Sequence, residues 1–208
     1  MDYSVLYDFI QSCCDVYGID ESHGLKHSKN CMRWVEQLLE NEADVEPDEA
    51  TMAIYAAALH DMCDKKYTDP LTASRTIRDW LVAQGWSDSM AISLIAIINS
   101  MSYSLLKYKA VDGVPVYPNH GKWQRAYHLA RHADLLDAYS VGRCMMYTQH
   151  IYPHISDDEC WKIVEDLFEI RVFRYVTDGW IFLPRAIDIA EELHKDAQYT
   201  FAQRVYVY

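Results

Sequence analysis

The stretch Ala56-Ala57-Ala58-Leu59-His60-Asp61 decides how this chain reads. An apolar, helix-compatible run ends on two polar side chains that have little reason to be there alone. Leaving a buried charge without a partner costs several kcal/mol, on the order of 3–5. A bound cation removes that cost. His27 lies upstream, and Asp134 lies downstream in Ala133-Asp134-Leu135-Leu136-Asp137-Ala138. Two imidazoles and two carboxylates drawn from three segments are a fitting ligand set for one divalent ion. Such a set suits Mn, Mg, Zn, Fe, Ni or Co and needs no thiolate. An octahedral ion with four protein ligands keeps two positions open, and an ion with open positions lowers the pKa of water toward neutrality. The set is therefore hydrolytic equipment.

Outward from this stretch the periodicity is helical almost everywhere. Apolar residues at Val5, Leu6, Phe9, Ile10 and Cys13 predict a helix from Tyr3 to Tyr17, stopped by Gly18. A second is expected from near Ser22 to Leu39, placing His23 and His27 four residues apart on one face. A third follows Pro47-Asp48 and ends near Cys63, and a fourth runs from Asp69-Pro70 to Gln84-Gly85. Ser87 caps a fifth reaching about Met101. Residues 106–121 read as a loop, broken by Asp112-Gly113, Pro115, Pro118 and Gly121. One long helix is expected from about Lys122 to Tyr152, another after Ser156, and a last one from Pro184 to about Val205. The aromatic tail from Tyr199 to Tyr208 reads as core cover, with an oligomer interface as the alternative. The expectation is an all-α, compact single-domain helical bundle spanning 1–208, with the motif-bearing core at about 20–145 and C-terminal helices over 156–208 packed on it.

The 208 residues are 50% hydrophobic, enough for one domain with a sizeable core. The six cysteines form no CxxC pair and read as reduced core thiols. The start Met1-Asp2-Tyr3-Ser4 lacks a basic leader, and no apolar run is long enough to span a bilayer. A cytoplasmic protein is the expectation. The net charge of −12 argues against a broad nucleic-acid or anionic-membrane surface. Within that acidic chain, Lys26, Lys29, Arg33, Lys65, Lys66 and Arg131 lie near the suspected ligands in sequence, which predicts a locally positive pocket.

The order His, His-Asp, Asp resembles the HD-domain metal-dependent phosphohydrolases. The closer likeness is to members with an extended first motif. Ser22-His23-Gly24-Leu25-Lys26-His27 matches their Ser-His-x-x-x-His element, and Leu59-His60-Asp61-Met62-Cys63-Asp64-Lys65-Lys66 resembles their second motif. Ala133-Asp134-Leu135-Leu136-Asp137-Ala138 with Gly142-Arg143 resembles the third. His132 stands where relatives often have Asp, and Leu135 where they often have Arg, which bears on substrate choice. The resemblance implies an all-helical fold, His27, His60, Asp61 and Asp134 as ligands of one divalent metal, and cleavage of a phosphate ester or anhydride, with a nucleotide the expected substrate.

Around those ligands, Asp137 is expected to orient one of them from behind. Asp64, Lys65 and His23 are the catalytic candidates, for steering water, neutralising charge and moving a proton. Lys66, Arg131 and Arg143 are the phosphate candidates. Tyr103, Tyr108, Tyr117 and Trp123 flank the long loop and are candidates to stack on a base. A catalytically idle metal-binding nucleotide sensor or scaffold is the competing expectation. Di-metal HD oxygenases or phosphodiesterases need further histidines before the final Asp, and none occurs between Asp61 and Asn119. Oligomerisation is left open.

Overall fold

The computed structural model describes residues 2–205. Ten α-helices account for the architecture among the described residues, with an isolated Val111–Val114 bridge in place of any strand. They are α1 (Ser4–Tyr17), α2 (Leu25–Leu39), α3 (Pro47–Leu59), α4 (Pro70–Ala83), α5 (Asp88–Ile98), α6 (Tyr103–Lys109), α7 (Gln124–Asp137), α8 (Val141–Ile151), α9 (Asp157–Ile170) and α10 (Pro184–Gln203). Short 3-10 turns follow α3 (His60–Cys63), precede α7 (Gly121–Trp123) and follow α9 (Val172–Arg174).

Helices α2, α3 and α7 pack on one another and form the centre. The sequence explains why. Helix α3 buries Met52, Ala53, Ile54, Ala56, Ala57, Ala58 and Leu59, so its surface is apolar on nearly every side, and its alanines let neighbours approach closely. Helix α7 is enclosed almost as fully, although Arg131, His132 and Asp137 lie on it. Around this centre α4 and α5 form a hairpin, α8 pairs with α9, and α10 packs on α7. The result is one compact all-α domain.

Local signals set the ends. The Asp69 carboxylate accepts from Thr72 N at 2.9 Å while Pro70 occupies the first position of α4. Ser87 caps α5, and Ser156 with Glu159 forms a reciprocal capping box on α9.

Three boundaries differ from expectation. The loop is shorter, because Tyr103 and Leu106 bury themselves and wind α6 before the first breaker at Asp112-Gly113. The expected 122–152 helix is two helices. The chain leaves α7 at Ala138, and Ser140 accepts from Arg143 N to start α8. Helix α2 begins at Leu25, so His23 sits in the preceding turn rather than on the helix face. Of the C-terminal aromatics, Phe201 packs edge-on against Phe168 while Tyr199 is exposed, so the tail covers the core only in part. Residues 206–208 of that tail lie outside the described residues.

The cysteines carry no disulfide among the described residues, and all but Cys144 are buried. No single described helix is long and apolar enough to cross a membrane. Helices α5 and α6 meet length and composition only as a pair bent by 71°, and Leu94, Ile97, Ile98 and Leu106 sit in the core.

Candidate metal centre

Four side chains from three segments remote in sequence meet at the centre of the bundle. His27 comes from the first turn of α2, His60 and Asp61 from the 3-10 turn where α3 tightens after Leu59, and Asp134 from the last turn of α7. His27 Nε2 lies 3.3 Å from His60 Nε2, 3.3 Å from Asp61 Oδ2 and 3.6 Å from Asp134 Oδ1. His60 Nε2 lies 3.5 Å from each carboxylate oxygen. Ligand atoms held about 2.0–2.2 Å from a shared ion sit roughly 3–3.5 Å from one another, which is this spacing.

The tautomers can be assigned from the partners. His27 Nδ1 lies 2.6 Å from Asp137 Oδ2, and a carboxylate only accepts, so Nδ1 carries the proton. His60 Nδ1 lies 2.9 Å from the Ala57 carbonyl, so it also donates. Both Nε2 lone pairs therefore face the centre together with two carboxylates. Acceptors this close repel unless a cation, or in its absence a proton on His60, lies between them. Asp61 Oδ2 is buried with no hydrogen-bond donor to satisfy it, which is the same demand expressed at one atom.

The electrostatics agree. Burial works to lower His60, yet Asp61 and Asp134 override it and lift the imidazole to about 9. Burial likewise opposes ionisation of Asp61, but the His60 and His27 imidazoles hold it well below the usual carboxylate range. Asp134 is held low against burial in the same way, chiefly by His60. The residues present fit a metal ion, with Asp134 as the open edge, 22% exposed at its side chain.

Behind the ligands, Asp137 is buried and orients His27, and Arg143 reaches back to it, Nε to Oδ2 at 3.3 Å. That reach needs the break between α7 and α8, since on one continuous helix a residue six positions on would face away. Arg143 Nη1 also donates to the Ser22 carbonyl at 3.1 Å, so the guanidinium braces the site rather than presenting itself to an anion. Cys31 Sγ stands 3.6 Å from both His27 nitrogens, and His27, Cys31 and Asp137 form a second close group. Burial raises that thiol well above its ordinary value, and His27 Nδ1 is already committed to Asp137, so this group is a hydrogen-bonded backing.

The remaining candidates divide. The Lys66 Nζ pairs with Asp64 Oδ2 at 3.2 Å and donates to His23 Nε2 at 3.3 Å. Asp64 also accepts from Lys66 N, so it folds the turn; the end of the 3-10 winding at Cys63 takes it off the helical face shared with His60. Lys65 is exposed on that turn. His23 is held by Asp20, Ser22 and Tyr67, its ring 6.3 Å from that of His27. Arg131 is 1% exposed, with Nη1 on the Trp180 carbonyl and Tyr117 and Phe182 over its plane. Lys26, Lys29 and Arg33 are exposed; Lys29 lies over Tyr7 and Arg33 donates to Asn30. The expected positive pocket narrows to Lys66. Sequence reasoning missed Asp20, Tyr67 and Tyr147 around His23. No spacing rule links them, although Asp20 two residues before Ser22 is an ordinary turn signal.

No protein-family model matches the chain, and no curated protein matches it. Among solved structures, a protein from Lactobacillus plantarum, a Northeast Structural Genomics target, is similar with a TM-score of 0.69 and 17% identity, over 96% of this chain and 93% of that one. At that identity the likeness is one of fold.

Proposed function

We propose that this protein is a metal-dependent phosphohydrolase of the HD type, acting on a phosphate ester or anhydride and taking one divalent ion. The observation that supports it is the convergence of His27 Nε2, His60 Nε2, Asp61 and Asp134, all acceptors, with Asp134 partly open to solvent. A divalent ion bound there supplies Lewis acidity toward a phosphoryl oxygen and an acidified water. Everything else falls to the chain. Asp137 fixes the His27 tautomer, and Arg143 holds Asp137 in place. Lys66 sets a positive charge beside the cluster, where the phosphoryl oxygens gain charge as the ester bond breaks. His23, beside Lys66 and ring to ring with His27, is the candidate to pass a proton to the leaving oxygen once Nε2 gives up its Lys66 contact.

A single ion suits the arrangement better than two. His128 and His132 lie in a separate cluster, and His132 Nε2 accepts from Phe182 N at 3.0 Å. The test is Asp61→Ala assayed with Mn²⁺ against a panel of phosphate esters and nucleotides. Activity in the parent that disappears in the variant supports the reading; unchanged activity refutes it. A metal-loaded parent that binds nucleotides and releases no phosphate would make the protein a sensor instead.

A further inference from the structure

Near the metal cluster, the end of α1, the turn after α3 and one side of α8 border an open cleft of about 410 Å³. That volume suits a small-molecule site, which typically runs to roughly 300–1,000 Å³. Its walls are Tyr17 from α1, Lys66 and Tyr67 from the turn, and Tyr147, His150 and Ile151 from α8. In a chain of net charge −12, this lining holds a lysine and no carboxylate.

One ring stands between the cleft and the metal cluster. His23 lies 4.9 Å from Tyr147, edge to face, and 6.3 Å from His27. Lys66 Nζ stands at the same junction, 5.3 Å from the Tyr147 ring and 5.5 Å from Tyr67. The Tyr67 wall is fixed, because its hydroxyl donates to the Asp20 carboxylate and lies 3.0 Å from His23 Nδ1. A ligand in the cleft meets Lys66, ion-paired with Asp64, at the inner end and three phenol rings at the outer one. Phenol rings offer stacking and edge contacts to another ring.

The aromatic residues near the long loop do not make such a surface. Tyr103 and Trp123 are buried, Tyr117 covers Arg131, and Tyr108 is 89% exposed.

We infer that this cleft is the subsite for a planar aromatic group carried by the phosphorylated substrate, with Tyr147 selecting for that group and Lys66 linking it to the phosphate end. The placement of the phosphate at the metal cluster rests on the phosphohydrolase reading; the cleft and its preference for a ring do not.

The experiment is calorimetric titration of the full-length, metal-loaded protein with AMP, UMP, ribose 5-phosphate and adenosine. At least one nucleotide binds about ten-fold or more tightly than ribose 5-phosphate, as stacking of one base on an aromatic residue allows. Tyr147→Ala removes that preference and Tyr147→Phe keeps it. Lys66→Met weakens nucleotide and ribose 5-phosphate alike and leaves adenosine unaffected. Should Tyr147→Ala fail to fold, Ile151→Trp, at an exposed rim position, fills the cleft and removes the preference instead. Equal binding of nucleotides and ribose 5-phosphate, or a preference that survives both cleft variants, overturns the inference. Ring-dependent binding without phosphate release from any ester removes the hydrolase reading and leaves the cleft standing. Hydrolysis without ring preference does the reverse.

Discussion

Helix α7 carries two buried polar clusters one turn apart, and they are built on opposite terms. At Asp134 the helix joins a group of acceptors: two imidazole lone pairs and two carboxylates with a buried orphan oxygen. At Arg131 it joins a group of donors and neutral rings. Arg131 Nε and Nη2, His128 Nδ1 and the Tyr127 hydroxyl are buried without partners, and no carboxylate lies within ion-pair distance of Arg131 among the described residues. The first cluster requires charge from outside the protein. The second is accommodated by the fold, through the Trp180 carbonyl and the faces of Tyr117 and Phe182. Burial alone thus does not mark a functional site. What separates the two is that the acceptors of the first meet at one centre, whereas the guanidinium of the second already has a carbonyl and two ring faces against it.

The sharpest way to break that comparison is to remove one histidine from each cluster. His60→Ala abolishes stoichiometric metal binding, read by elemental analysis after gel filtration. His132→Ala leaves metal content intact and instead destabilises the fold by about 2–3 kcal/mol in urea, through the lost acceptor for Phe182 N and the space left behind. Equal metal loss in both variants would erase the distinction.

Asp137→Asn tests whether the backing matters as much as the ligands. Metal affinity should fall by about 10- to 100-fold, since the carboxylate no longer strengthens His27 as a ligand. A competition titration against a chelating dye reads it, and an unchanged affinity would remove Asp137 from the site.

Acidity separates the clusters by sign in the chelator-treated protein. Burial, with Arg131 nearby, depresses His128 to about 4 from its ordinary 6.5. Between those values the unfolded chain binds the extra proton, so this stability is present above about 6.5 and lost as pH falls toward 4. His60 is raised to about 9, so the folded chain holds the extra proton. Its contribution is present below about 6.5 and lost as pH rises through 9. Each effect is on the order of 3 kcal/mol. Urea midpoints across this range should fall at both ends. Loading with metal should remove the alkaline loss only.

The smallest effect is expected at Arg131→Met. A buried guanidinium with no carboxylate partner can be replaced by an apolar side chain at little cost, within about 1.5 kcal/mol. Metal content should not change. A loss of metal would bring Arg131 back into the site.

Much of this was legible in the residue order. Ala56 to Asp61, the paired aspartates Asp134 and Asp137, and the caps at Asp69, Ser87 and Ser156 all stand where their local chemistry predicts. The missed features share a cause. Arg143 bracing Asp137, His23 lodged against Tyr67 and Tyr147, and Arg131 sealed under Tyr117 depend on where helices break and which distant segment then arrives. Ser140 offered a sign of the α7–α8 break, but a helical period on both sides concealed it.

By itself, then, the sequence determined an all-helical chain and the identity of four metal-ligating candidates, because helix periodicity and ligand chemistry are properties of individual residues and short spacings. The tertiary structure alone decided which imidazole nitrogen faces the centre, which basic residue remains beside it and where a cleft opens. Those outcomes follow from hydrogen-bond partners and packing across more than a hundred residues of chain, as between His27 and Asp137, and no local pattern encodes them.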